Sequence, residues 1–105
     1  MNTEKLVKTN IDALGEIVKE YAGEKDFERF KSQMQDWDSL WEELKKWLME
    51  TPVTDRDETI MYFIKQHVPC YREIWDRIQL SLSLHDEFWT EFFLNMVKAK
   101  TQLAR

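Results

Sequence analysis

The chain has 105 residues, 43% hydrophobic, 33% charged and 13% aromatic, with a formal net charge of −5 at pH 7. That length predicts one domain, spanning 1–105, with room for a real core, and the apolar content is too high for a disordered chain. Two glycines and two prolines leave too little turn chemistry for an all-β or loop-rich α/β fold, and the single cysteine, Cys70, excludes an internal disulfide.

No apolar run approaches the ~18 residues of a membrane span. Met1-Asn2-Thr3-Glu4-Lys5 has no apolar stretch behind it, so no secretory signal is expected, and a cytoplasmic location is the default. The net charge of −5 argues against broad phosphate binding, and it is too modest for a nucleic-acid mimic because the fifteen basic residues are interleaved with the twenty acids.

In chain order, Val7, Ile11, Leu14, Val18 and Tyr21 recur at four, three, four and three residues. This period predicts a helix over Thr3–Ala22, with Leu6 and Ile17 alongside. Gly15 interrupts it at about 1 kcal/mol relative to alanine, so either a neighbour passes close there or the position is exposed. Gly23 suits the residue just past the helix end, and Asp26 suits the cap of the next helix.

Phe27, Phe30, Met34, Trp37, Trp41, Leu44 and Leu48 then alternate three and four apart without a break. That heptad predicts one helix from Phe27 to Glu50 or Thr51, with Leu40 and Trp47 widening its apolar face. Pro52 disfavours helical geometry before it. Thr54 suits the next N-cap, with Asp55, Asp57 and Glu58 in the first turn, where the helix dipole favours negative charge.

Ile60, Ile64, His67, Tyr71, Ile74 and Ile78 again alternate four and three, straight through Pro69. The persistent phase favours one long, kinked helix over Asp55–Leu80, although an interior proline costs ~3 kcal/mol. The alternative is a break near Val68, giving five helices. Ser81-Leu82-Ser83-Leu84 reads as a connection with Ser83 as N-cap. A last helix to Leu103 presents Phe88, Trp89, Phe92, Phe93, Met96, Val97, Ala99 and Leu103. The expected fold is therefore all-α: an antiparallel bundle of four helices with short connections, the third kinked or broken at Pro69.

Chemistry-bearing motifs are sparse. His67 and Cys70 lie three apart on one helical face. They form a Cys-His pair in the sharp reading, and a packed thiol beside a hydrogen-bonded ring in the plain one. A metal site needs more ligands, and the other histidine is His85, in His85-Asp86-Glu87. Asp55, Asp57 and Glu58 share one turn and lack the glycine-centred spacing of a calcium loop. Lys45-Lys46, with Lys5 and Lys8, could touch nucleic acid, but acids neighbour each of them. No catalytic residue, metal ligand or cofactor is assigned.

Trp47, Met49, Tyr62 and Trp75 lie off the strict seams, and aromatics with methionine favour binding patches. They are the candidate partner-binding residues. Trp47, at the flank, is expected to carry less stability than Trp41 on the seam. The function read from the sequence is non-enzymatic protein–protein recognition by a small acidic adaptor, inhibitor, immunity-type or assembly-chaperone protein, with homodimerisation as its natural accompaniment. The rivals are a nucleic-acid-contacting subunit of a larger assembly and a small enzyme using His67 and Cys70.

Overall fold

The computed structural model describes residues 2–69 and 71–105. Asn2 opens the first helix, α1 (Thr3–Ala22), its side chain accepting from the Lys5 amide at 3.2 Å. Gly23 closes it at φ 91°, a conformation that L side chains rarely adopt. The chain then reverses into α2 (Glu24–Met34) with Gly23 itself as the N-cap, so Asp26 lies in the first turn rather than capping it.

Gly15 is buried because α2 crosses there. A Cβ at Gly15 would lie 3.1 Å from Phe30 Cε1. Gly15→Leu is expected to lose about 1–3 kcal/mol in urea melts, by driving Phe30 off α1. An unchanged midpoint would mean that α2 does not sit on this face.

The heptad helix is divided in two. The Gln35 amide turns back to Ser32 O at 3.3 Å, and Asp36 leaves helical geometry to accept from the Ser39 amide at 3.4 Å. A new helix, α3 (Trp37–Glu50), starts there. The cause is local: an aspartate three residues before an amide offers the backbone an N-cap in place of a continued ladder. The seam still faces inward across the break. Phe30, Trp41, Leu44 and Leu48 are buried, and Met34 and Trp37 half-buried.

Pro69 also breaks its helix, so the long kinked helix is not formed. α4 (Arg56–His67) ends with Val68 extended at φ −103°, ψ 117°, as the residue before proline prefers. Asp55, not Thr54, caps α4, accepting from the Glu58 amide at 2.9 Å. α5 (Tyr71–Leu84) follows. The phase persists because both helices turn an apolar face to the same interior, which buries Ile60, Ile64 and His67 from one and Ile74 and Ile78 from the other.

The Ser81–Leu84 stretch is helical, not a connection. Ser81 is buried and bonds within the core, its hydroxyl donating to Ile78 O at 2.7 Å and accepting from Trp89 Nε1 at 3.1 Å. The turn comes at His85, which stands as the N-cap of α6 (Asp86–Leu103) in place of Ser83.

The described residues thus form six helices and no strand, instead of a four-helix bundle. α1 packs against α2 on one side and α6 on the other, with α3, α4 and α5 also resting on α6. Asn10, buried on α1, donates to Phe92 O at 2.9 Å and accepts from Asn95 at 3.0 Å. Arg56 joins the N-termini of α4 and α6 by pairing Asp57 at 2.8 Å and Asp86 at 2.6 Å. The radius of gyration, 13.0 Å, is that of a compact chain of about 100 residues. No helix among the described residues is long and apolar enough to cross a membrane.

Candidate interaction surface

Two of the four off-seam residues come together and the others stand apart. Trp47, on α3, is buried, with 8% of its surface exposed. Its ring meets Phe63 edge-on at 5.4 Å and His67 at 5.6 Å, and lies tilted against Tyr62 at 5.7 Å. The break after Asp36 and the turn at Pro52 let α4 come back along the flank of α3. Trp47 is the side chain that fills that gap, so it is core rather than a surface anchor.

Tyr62 remains 50% exposed and Met49 48% exposed. Met49 lies two residues from Trp47, about 200° round the helix, and so faces away from it. Trp75 is half-buried on α5, where Lys65 Nζ sits 4.8 Å above its ring and Tyr71 meets it edge-on at 6.2 Å. Leu80, Leu84 and Leu94 are more exposed than any of these, at 55%, 63% and 56%. Their sequence signal was weak. Leu80 and Leu84 lie four apart on one face of α5, but inside a Ser-Leu repeat that resembles a loop.

Beside Tyr62, an open cleft of about 300 Å³ lies between the end of α3 and the start of α4. Glu50, Asp55 and Glu58 line it with Pro52, Thr51 and the tyrosine ring, and no basic side chain does. The helix start concentrates the acids for the dipole reason given above. Pro52 and the extended Thr51 widen the joint between the helices, which leaves a hollow in place of packed side chains. Lys100 reaches the region only to donate to the Thr51 carbonyl. Such a hollow can receive a cationic side chain and lay an apolar one on the tyrosine.

The other sequence candidates have structural tasks. Asp55 caps α4 and Asp57 pairs with Arg56. No group of three or more His, Cys, Asp or Glu among the described residues is placed to hold a metal ion. His85 shares a hydrogen bond of 2.7 Å with the Tyr21 hydroxyl. Lys45 pairs with Glu42 at 2.7 Å and lies over Trp41, while Lys8 lies over Trp37. The Trp37 and Trp41 rings lie nearly parallel, with centroids 6.1 Å apart.

His67 is buried, and it is not the hydrogen-bonded ring expected of a plain packing residue. Neither ring nitrogen has a hydrogen-bond partner among the described residues. Glu43 Oε1 lies 3.6 Å from Nδ1, and burial lowers the imidazole below its ordinary value of 6.5 despite that carboxylate. The Cys70 half of the Cys-His reading lies outside the described residues. No family model matches this chain, and neither a curated protein nor a solved structure does.

Proposed function

We propose that this protein acts without catalysis, by recognising another protein, and that the α3–α4 cleft takes a basic, apolar-bearing segment of it. One observation carries the reading. A half-exposed tyrosine, tilted against the buried Trp47, borders a hollow lined by three carboxylates and no basic side chain. An aromatic backed by a buried ring and set beside acidic charge is the arrangement of an interface anchor, and the net charge of −5 draws a cationic partner toward it. In this reading the protein is a cytoplasmic adaptor or inhibitor.

The test is fluorescence anisotropy with short labelled peptides at low salt, comparing Lys/Arg-rich sequences carrying Leu or Phe with acidic ones of equal length. The basic set is expected to bind, and Tyr62→Ala to weaken binding by about 2 kcal/mol while leaving the urea midpoint nearly unchanged. Glu50→Gln with Glu58→Gln should flatten the salt dependence. Equal binding of both peptide sets, or indifference to Tyr62, would sink the assignment.

A second reading has its own support. Leu80 and Leu84 form an exposed pair on α5, which a second copy of the chain would cover. Light scattering on the eluting protein distinguishes dimer from monomer.

A further inference from the structure

Among the described residues, His67 is the one ionisable side chain that is buried without a hydrogen-bond partner. Only 4% of its side chain is exposed. It projects from the last turn of α4 into a small internal cavity of about 10 Å³ closed from above by α2, through Phe30, Gln33 and Met34. Gln33 Oε1 and Trp47 Nε1 are buried without partners as well. Gln33 shares the cavity with the ring and Trp47 meets the ring edge-on, so unpartnered polar atoms gather around His67, an arrangement that native interiors rarely keep.

We propose that α2 is an acid-released flap, docked over the uncharged His67 ring and lifted when that ring takes a second proton. The charged groups around the ring decide the sign. α1 presents only apolar side chains to the cavity, and α2 the neutral Gln33. From α3 comes the carboxylate of Glu43, itself 62% exposed and therefore well hydrated. Its attraction is weakened by water, whereas the ring would be charged in a buried site. Burial accordingly outweighs Glu43 and favours the neutral form.

The folded, docked state thus binds fewer protons than the open one. Docking is complete above the ordinary value of 6.5 and is lost as pH falls below it, toward the lowered value of the buried ring. The element that yields is α2, the helix that contributes fewest residues to the core. It buries only Phe30, whereas every other helix buries four residues or more. Its ends are the Gly23 turn and the Gln35–Asp36 joint, both exposed.

Hydrogen exchange on the full chain at about pH 7.5 and pH 5.5, each rate divided by the intrinsic amide rate, tests this in the range where histidine titrates. Amides of α2 are expected to lose up to about tenfold in protection at the lower pH, because pH 5.5 lies about one pH unit below the ordinary value of 6.5 at which the released ring takes up its proton. Those of α1 and α6 should hold. His67→Gln should abolish the difference, and Glu43→Gln, a surface change that spares the fold, should enlarge it. Equal α2 protection at both pH values in the wild-type protein overturns the proposal. So does loss shared by all helices, loss confined to the end of α4, or a pH effect that survives in His67→Gln.

Discussion

Trp89→Ala is expected to remove about 3–5 kcal/mol of stability, a large share of the ~5–15 kcal/mol typical of a domain. The ring is fully buried on α6. It meets Phe88 edge-on at 4.9 Å and Phe92 at 5.5 Å, and its Nε1 donates to the Ser81 hydroxyl. Truncation leaves a ring-sized void against helices that cannot all close on it, and deprives a buried serine of its donor. Ser81 is what makes the tail of α5 core, so the loss should appear as a weaker α5–α6 contact and a lower urea midpoint. Trp89→Phe keeps most of the volume and should lose distinctly less. A Trp89→Ala variant melting within about 1 kcal/mol of wild type would mean that α6 is not the central helix.

Trp47→Ala is expected to cost a similar ~3–5 kcal/mol, against the sequence expectation that Trp47 matters less than Trp41. The two rings are equally enclosed, with 8% and 9% of their surfaces exposed. Trp41 is covered by another indole and by Lys45. Trp47 instead joins two helices, touching Tyr62, Phe63 and His67 of α4. Its removal therefore opens the α3–α4 joint and also takes away the support of Tyr62. Denaturant melts and peptide binding should both suffer, in contrast to Tyr62→Ala, which should affect binding alone. If Trp47→Ala melts like wild type, the ring does not fill the α3–α4 joint and Trp47 returns as a surface candidate.

The candidate surface was legible only in part. Tyr62 and Met49 lie off the apolar seams and are indeed half-exposed. Trp47 also lies off its seam, yet it is buried, because a heptad describes one helix against an average neighbour and says nothing of a second neighbour at the flank. The acids of the cleft were visible as a first helical turn. Their opening toward Pro52 and Tyr62 was not, since a hollow is a property of two helix ends in space.

By itself, the sequence determined that the chain is helical and which seam positions face inward. Ile11, Leu14, Ile60, Ile64, Ile74, Ile78, Phe92 and Met96 all follow a period near 3.6 and are all buried, because burying a periodic apolar stripe dominates the free energy wherever the stripe occurs. Where helices stop was decided in three dimensions and by single residues. Asp36 ends one heptad by capping, and Pro69 ends another by forcing Val68 extended. Ser81 turns an apparent loop into helix by meeting Trp89. Apolar period cannot report these events, because each piece of a broken helix still turns the same face to the common core. Only the tertiary structure placed α2 over a histidine without partners, because that contact joins residues far apart in the chain and leaves no local pattern.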